Sequence, residues 1–422
     1  MAAGFAGYLE ILRARHAARL LAGTLVGRLP NATAAISIVL FVRAEGGTYS
    51  LAGALAAVYG VANAVGQPVL GRLVDLYGQP RVQLPAALAA ALAMTVFALT
   101  GTGPRALACA AVAAAGLFTP PLEGGLRALW PGVLRREEQV HTAYAMDAVA
   151  QEVMFTAGPL LVTLCVSLWS ARTALVVLNA IGVLGALSVV CSPPSRAWRS
   201  ASREAHWLGA LRSPGLLALL GAFLFVGLAL GSITVAAVPY ADGHGGDAVY
   251  GWLMAALGLG ALAGGTVYGA RQWRGRPERR LLVLVALLAV CYLPLTLMPG
   301  AVAMVGLTVL SGVFLAPCIA CAFVIVDRHA PAGTVTEAFS WLVTTFTVGA
   351  SVGTGVAGPV VQAGGALWGF AVPGAAGAVS ALVLLATGRV LAAPAGRAVV
   401  AASSENDPNR AAEPRFSSGD RA

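Results

Sequence analysis

Residues 71–81 read GRLVDLYGQPR and form a short polar stretch between two long apolar runs. Gly71 and Gly78 allow a turn and the adjoining helix ends to approach other backbone closely. Asp75 follows the first apolar run, where a carboxylate can face the positive N-terminal end of another helix. Each flanking run is long enough to cross a bilayer, so the stretch predicts a polar loop between two transmembrane helices.

The composition of the chain is that of a membrane protein. Of its 422 residues, 58% are hydrophobic and only 11% are charged, whereas a soluble domain carries about 25% charged residues. Too few polar side chains remain to cover a water-facing surface, so soluble enzymes and nucleic-acid-binding proteins are excluded. All 27 basic residues are arginine. A phosphate-binding loop needs a lysine, so ATP-driven transport by this chain is excluded as well.

Apolar runs of about 20 residues predict an all-α membrane protein with twelve transmembrane helices. The preceding stretch, Tyr8 to Leu20, mixes Leu and Ile with Arg and His and is expected to lie along the membrane surface. The predicted spans are 19–42, 50–71, 83–101, 105–130, 140–168, 173–191, 214–238, 248–270, 281–299, 301–325, 336–362 and 366–388.

The longest polar stretch between spans divides the chain into two halves of six helices. This division predicts an N-terminal bundle (1–191), a cytoplasmic linker (192–213) and a C-terminal bundle (214–391). Residues 392–422 are rich in Pro, Ser, Asn and charge, and they are predicted to form a disordered cytoplasmic tail.

The arginines between spans indicate the orientation of the chain. Only Arg43, Arg105 and Arg172 fall on one side of the predicted membrane, and the others gather on the opposite side. Positively charged loops stay in the cytoplasm, so both termini are expected to be cytoplasmic. The exclusive use of arginine indicates a GC-rich bacterial genome, and the predicted location is the bacterial cytoplasmic (inner) membrane.

The two halves resemble each other at an offset of about 195 residues. The segment GLFTPP (116–121) in the fourth span aligns with GVFLAP (312–317) in the tenth. Duplicated halves are typical of transporters whose substrate path runs between them. The fifth and eleventh spans each carry a Gly-Pro step that is expected to break the helix, namely Gly158-Pro159 and Gly358-Pro359.

At this point the sequence resembles the major facilitator superfamily over about residues 19–390. The loop after the second span fits that family's pattern G-x-L-x-D-x-x-G-x-x-R, although Leu76 and Gln79 replace basic residues that the family usually has. The positions that match and that we expect to form a conformational loop motif are Gly71, Asp75, Gly78 and Arg81.

The resemblance implies alternating access by a functional monomer that moves a small molecule through the lipid bilayer. It also implies that Asp75 meets the start of the eleventh span, near Thr336–Ala338, and holds the outward-facing state. The alternative is that Asp75 is a solvated loop charge. The segments LEGGLRALWP, AGPLL and TEAFSWLVTT resemble bacterial drug- or metabolite-efflux members of the family.

Four ionisable residues of the fourth and fifth spans are expected to lie at similar depths in the membrane. Glu123 and Arg127 share a helix face, and counting inward from the connecting loop places Asp147 near Arg127 and Glu152 near Glu123. Buried charges are costly, so each needs a partner or a function. The cluster either couples transport to protons, with Glu152 or Glu123 as the carrier, or acts as a structural clamp.

A further charge stands in the first span. Arg28 is followed by Pro30 and Asn31, and this sequence predicts a break in the helix that exposes backbone carbonyls to a cavity. Arg28 and Asn31 are therefore candidate substrate contacts, and Arg28 could instead pair with an acid.

These features together favour a secondary transporter, and we expect proton-coupled efflux of small amphipathic molecules. The alternatives are an importer or uniporter of the same fold and, from another class, a membrane-embedded enzyme or receptor. No cofactor and no metal are expected. The expected partners are the lipid bilayer, a small-molecule substrate and protons, without nucleic acid.

Overall fold

The structure, a computed structural model, describes residues 2–134, 136–202, 206–273 and 275–392. The predicted disordered tail therefore lies, apart from Ala392, outside the described residues. Within these ranges the chain folds into α-helices joined by short turns, with two short 3₁₀ helices at Gly209–Arg212 and Leu293–Leu297 and no β-strand.

Sixteen α-helices follow one another in the described chain. They are α1 (Ala2–Arg13), α2 (Ala17–Ala44), α3 (Tyr49–Tyr77), α4 (Gln79–Thr100), α5 (Arg105–Leu117), α6 (Leu122–Val133), α7 (Glu137–Leu168), α8 (Ala171–Val190), α9 (Pro193–Ala197), α10 (Pro214–Asp242), α11 (Asp247–Gly269), α12 (Pro277–Tyr292), α13 (Ala301–Gly312), α14 (Leu315–His329), α15 (Val335–Ala386) and α16 (Gly388–Leu391). Eleven helical segments of the described chain are long and apolar enough to cross a membrane.

The twelfth span is contained in α15. A continuous helix of its 52 residues would be about 78 Å long, more than twice the roughly 30 Å thickness of the hydrocarbon core. Gly365 interrupts it with φ 74° and ψ −172°, a conformation that glycine adopts without a steric penalty. The chain reverses there, so α15 supplies two spans.

Contacts with α10 show the reversal directly. Before Gly365, Gly349 lies against Leu224 and Gly353 against Leu228, so the two helices run parallel. After Gly365, the Ser380 hydroxyl donates to the Ala222 carbonyl at 2.9 Å, and Gly369 lies against Ala236, so the direction is antiparallel. The predicted arrangement of twelve membrane helices in two six-helix bundles is confirmed.

Glycines bring the helices of the C-terminal half into backbone contact. A Cβ atom on Gly231 of α10 would overlap the Ala350 carbonyl of α15, and one on Gly264 of α11 would overlap the Val313 carbonyl. Small residues at helix crossings allow this approach, because packing rather than the hydrophobic effect holds membrane helices together.

The tight crossing at Gly231 predicts an asymmetry between two chemically identical substitutions. Gly231→Ala is expected to lower the free energy of unfolding by about 1–3 kcal/mol, because the added methyl overlaps backbone that cannot move alone. Gly251→Ala on α11, where a Cβ meets nothing within 4 Å, is expected to be neutral or stabilising, since alanine favours helix. Denaturation in mixed micelles measures both values, and equal effects would contradict the packing argument.

Three of the predicted helix breaks are wrong. α2 continues through Pro30, and α7 and α15 continue through Gly158-Pro159 and Gly358-Pro359. A proline removes only one hydrogen bond, and neighbouring helices can accommodate the local distortion. The Pro30 ring lies against Gly182 of α8, which leaves space for it.

Two breaks that the spans did not predict occur at the repeated segments. The fourth span is divided between α5 and α6 at 118–121, and the tenth between α13 and α14 at 313–314. Gln67 of α3 donates to the Thr119 carbonyl at 2.9 Å, so the break between α5 and α6 leaves this buried group paired. The shared position of the two breaks agrees with the internal repeat.

The two bundles meet near the end of the molecule where α3 ends and α15 begins, which we call the arginine-rich end. There Gly71 of α3 lies against Ser340 of α15. Further along the same interface, the Thr344 hydroxyl donates to the Ala64 carbonyl at 3.4 Å.

The first helix connects both bundles at the arginine-rich end. The Tyr8 hydroxyl donates to the Thr266 carbonyl of α11 at 3.0 Å. Glu10 accepts hydrogen bonds from Arg136 and, at 2.9 Å, from Gln139 at the start of α7. A turn separates α1 from α2, so α1 lies across the bundles rather than extending the first span.

Candidate functional site

Two arginines and two carboxylates form a closed ring of ion pairs inside the N-terminal bundle. Arg28 of α2 lies 2.8 Å from Glu123 and 3.1 Å from Asp147. Arg127 of α6 lies 2.6 Å from Asp147 and 3.3 Å from Glu123. Each charge thus contacts two opposite charges, and the four formal charges sum to zero. Gln151 adds a hydrogen bond of 3.5 Å to Arg127.

The ring is almost completely removed from solvent. The side chains of Arg127 and Asp147 are fully buried, and Glu123 is the most exposed member at 14%. Burying an ion is costly unless other charges and hydrogen bonds compensate it. The alternating arrangement provides that compensation, because no member faces the membrane interior as an isolated charge.

Arg127 also contacts the C-terminal bundle through two aromatic rings. Its guanidinium carbon lies 3.7 Å from the ring centre of Phe323 on α14 and 5.8 Å from that of Phe339 on α15. Tyr144 packs against both rings, at centroid distances of 6.1 and 5.9 Å. These cation–π contacts join the ring of ion pairs to the C-terminal bundle. The sequence had not indicated Tyr144, Phe323 or Phe339, since buried aromatic residues in apolar runs resemble ordinary core.

Glu152 does not belong to the ring of ion pairs, although the sequence analysis grouped it with Glu123, Arg127 and Asp147. The fourth member is Arg28. Among the residues that the structure describes, Glu152 forms no ion pair within 4 Å. The expectation counted helical depth but not the direction of the side chain. Asp147 and Gln151 are four apart and share the face that meets α6, whereas Glu152 is rotated away from it by one residue.

Arg28 and Asn31 lie beside a small, mostly apolar cavity within the N-terminal bundle. The Tyr59 hydroxyl donates to Asn31 at 3.2 Å and lies 3.0 Å from the Thr119 hydroxyl. Arg28 itself is held by the two carboxylates, so a substrate anion would have to compete with them. The other residues that line the cavity include Gly27, Pro30, Met94, Asn179 and Gly182.

Asp75 caps the start of α15, as the family resemblance implied. Its two carboxylate oxygens accept hydrogen bonds from the backbone N–H groups of Thr336, at 3.1 Å, and Glu337, at 2.9 Å. The free N–H groups and the positive end of a helix favour a carboxylate at this position. Asp75 is 7% exposed, which excludes the alternative of a solvated loop charge.

The rest of the loop motif supports this contact. Gly71 has no room for a side chain, because Ser340 and the backbone of Thr336 lie beside it. Gly78 ends α3 with φ 89°, a backbone conformation that favours glycine. Arg81 is exposed in the first turn of α4. The neighbouring Arg72 donates to the Trp207 carbonyl in the segment between the bundles, at 2.7 Å.

Exposed apolar side chains lie on α3 and α15 beyond the contact between these two helices. On α15, Val348 lies four residues after Thr344 and therefore continues the face that contacts α3; it is 40% exposed. On α3, Val61 lies three residues before Ala64 and is 68% exposed. The two helices that touch at the Ala64–Thr344 contact therefore each carry an exposed valine next to the face of that contact.

Glu152 lies on the face of α7 that points to the other bundle. Val149, three residues earlier, lies against Gly265 of α11, and Ala145 lies against Gly269. Residues three apart share a helix face, so Glu152 follows these contacts on the face directed at the C-terminal bundle and is partly exposed. No group of three potential metal ligands occurs in the part of the chain that the structure describes.

Comparisons with known proteins agree with this geometry. The sequence profile described as Major Facilitator Superfamily matches residues 20–354. No curated protein sequence matches the chain. The human organic anion transporter MFSD10 (TETRAN) has a similar structure, with a TM-score of 0.66 and 17% identity over 87% of this chain and 99% of its own.

Two bacterial structures are similar to the same degree. A bacterial homologue of the iron transporter ferroportin, in an outward-facing state, has a TM-score of 0.66 and 15% identity over 87% of this chain and 98% of its own. The E. coli fucose:proton symporter FucP has a TM-score of 0.64 and 16% identity over 87% of this chain and 97% of its own. At such identities the likeness shows the shared fold.

Proposed function

The chain belongs to the Major Facilitator Superfamily and is a membrane transporter rather than an enzyme, and on this premise we propose that it exports small amphipathic molecules in exchange for protons. It acts by alternating access as a monomer in the cytoplasmic membrane of a bacterium. Both termini and the arginine-rich end face the cytoplasm, in agreement with the arginine distribution.

The position of Glu152 is the observation that carries this proposal. It stands inside a membrane span, outside the ring of ion pairs, on the α7 face directed at the other bundle. An ionisable group in a membrane span that lacks a counter-charge favours its neutral form, and access to water favours ionisation. Rocking of the bundles changes that access, so Glu152 can bind a proton on one side and release it on the other.

The ring of ion pairs has a structural role in this proposal, and Glu152 is the proton carrier. Arg28 and Arg127 contact both carboxylates of the ring at 2.6–3.3 Å. Each ion pair is compensated by the others in the ring, and disrupting one would leave a buried charge without its partner. The coupling role therefore falls to Glu152 rather than Glu123.

Exposed apolar side chains support an amphipathic cargo. Val61, Val348 and Val352 expose apolar side chains on faces that continue the contacts between α3 and α15, and Glu152 supplies an acidic group on α7. Apolar walls with a few polar groups are typical of sites for small organic ligands.

The contact of Asp75 supports an outward-facing state. It joins the bundles at the arginine-rich end, as expected when the substrate path is open at the other end. FucP is described in the outward conformation and the ferroportin homologue in an outward-facing state. A proton symporter that imports its cargo is the rival function, since FucP is a fucose:proton symporter.

Expression in an efflux-deficient bacterial host tests the proposal. The wild-type chain is expected to raise tolerance to some amphipathic compounds, and a protonophore is expected to remove the protection. Glu152→Gln is expected to abolish proton-driven export at equal expression, because an amide cannot bind and release the proton. Glu45→Gln, which changes an exposed glutamate paired with Arg172, is the matched control and keeps activity.

Proteoliposomes distinguish the rival. If the wild-type chain accumulates cargo in the same direction as an imposed proton gradient, it is a symporter and the export proposal fails. Transport that persists in Glu152→Gln with an unchanged dependence on the proton gradient would remove Glu152 from the coupling step.

A further inference from the structure

The loop between α11 and α12 and the first turn of α12 carry an unusual concentration of positive charge. Within residues 271–280 there are five arginines and one acid, Glu278. That acid is 3.7 Å from Arg328, so it is already paired elsewhere. The five arginines are Arg271, Arg274, Arg276, Arg279 and Arg280.

Trp273 organises the described part of this loop. Its indole N–H donates to the Tyr268 carbonyl at 2.8 Å, and its ring stacks on that of Tyr268 with centroids 5.0 Å apart. The guanidinium groups of Arg271 and Arg280 lie 5.2 and 5.3 Å from the Trp273 ring centre. Two cations are thus held close to one aromatic side chain at the end of a membrane helix.

A cavity of about 60 Å³ opens beside this group, between the loop and the start of α7. Arg271, Arg280 and Trp273 form one wall, and His141 lies on the side of α7. Glu138 is the acid of the lining, and its carboxylate accepts a hydrogen bond from Gln272 at 2.9 Å. The balance of charge around the cavity is therefore positive.

We propose that this cavity binds the headgroup phosphate of an anionic phospholipid. The loop follows the last residue of α11, Gly269, and precedes the first residue of α12, Pro277, which places it at the level of the lipid headgroups. Tryptophan is enriched at this boundary. Basic groups between or beside membrane helices bind anionic headgroups there.

The arrangement also suits a phosphate geometrically. Arg280 donates to the Tyr268 hydroxyl at 3.2 Å and to the Gly275 carbonyl at 3.4 Å, so its position is fixed before a ligand arrives. Arg271 also lines the cavity and is exposed, so it can supply further donors. Because α7 belongs to one bundle and the loop to the other, the bound lipid contacts both bundles.

Lipid selectivity in reconstituted bilayers tests the proposal. Phosphatidylglycerol brominated in its acyl chains is added to phosphatidylcholine bilayers. The quenching of Trp273 fluorescence is obtained as the difference between the wild-type chain and Trp273→Phe. The wild type is expected to prefer the anionic lipid. Arg271→Gln/Arg280→Gln is expected to weaken the preference about 30-fold, since each arginine near an anionic surface contributes about fivefold.

Two comparisons make the test specific. Arg105→Gln/Arg196→Gln removes the same charge from exposed arginines elsewhere and is expected to keep the preference; an equal loss in this control would overturn the site. Inorganic phosphate is added in a separate arm. If it displaces the lipid from Trp273 at millimolar concentration, the ligand is a free phosphate and the lipid proposal fails.

Discussion

Replacing Arg127 with methionine is expected to lower the free energy of unfolding by about 3–5 kcal/mol, the cost of removing one partner from a buried ion pair. In the wild type Arg127 contacts Asp147 at 2.6 Å and Glu123 at 3.3 Å. After the substitution Arg28 alone must compensate two buried carboxylates. The cation–π contact with Phe323 at 3.7 Å is lost as well.

A second substitution is expected to recover much of this loss. In Arg127→Met/Asp147→Leu one cation and one anion have been removed, and Arg28 and Glu123 remain as a pair at 2.8 Å. Exchanging a buried ion pair for apolar residues of similar volume is often neutral or stabilising. The double variant should therefore be more stable than the single one, although it carries more changes.

Denaturation in mixed micelles measures these values, with Arg105→Met, at an exposed position, as the control for loss of an arginine. The order wild type, double variant, single variant is the expected result. If the double variant loses as much unfolding free energy as the sum of the losses of Arg127→Met and Asp147→Leu, the ring is not acting as a balanced set of charges.

Asp75→Asn is expected to shift the conformational equilibrium away from the state described here by about 30-fold. A hydrogen bond to a charged group contributes about 1.5–3 kcal/mol, and Asp75 accepts two from the start of α15. Asparagine has one acceptor oxygen, and its amide N–H₂ would face the second backbone N–H. The attraction to the positive helix end is also lost.

Distances between spin labels measure this shift. Labels at Leu76→Cys and Arg279→Cys report on the arginine-rich end, and labels at Tyr49→Cys and Val302→Cys report on the opposite end; all four positions are exposed. The accessible native cysteines Cys109, Cys165 and Cys191 are replaced in this background.

In Asp75→Asn the first label distance is expected to lengthen and the second to shorten. Asp242→Asn is the same chemical change at the exposed last residue of α10. It is expected to leave both distances unchanged. If Asp75→Asn behaves like this control, the contact with α15 does not select the conformation.

Position along a helix could be predicted from the sequence, and position around it could not. Depth follows from residue count at 1.5 Å per residue, which placed Arg127 and Asp147 at one level from their distances to the connecting loop. The sequence left open whether Arg28 pairs with an acid or contacts substrate, because residue count does not give the direction of a side chain around α2. No polar face indicated that Arg28 points towards α6 and α7.

The loop motif was easier to predict than the helix breaks. Asp75 and its glycines have a fixed spacing, and the capping of a helix start needs only a carboxylate at the right place. The effect of a proline depends instead on its neighbours: Pro30 is accommodated because Gly182 lies beside it. Conversely, the break at 118–121 is compensated by Gln67, which lies on another helix.

The neutral ring of ion pairs has an electrical consequence. Moving one elementary charge across a membrane potential of 100 mV involves about 2.3 kcal/mol, but two cations and two anions that move together experience no net force. Rocking of the N-terminal bundle is therefore insensitive to voltage through these four residues. Under the proposed exchange, voltage acts on the cycle through Glu152 and the cargo, so the sign of the transport current reports the sign of the net charge moved in each cycle.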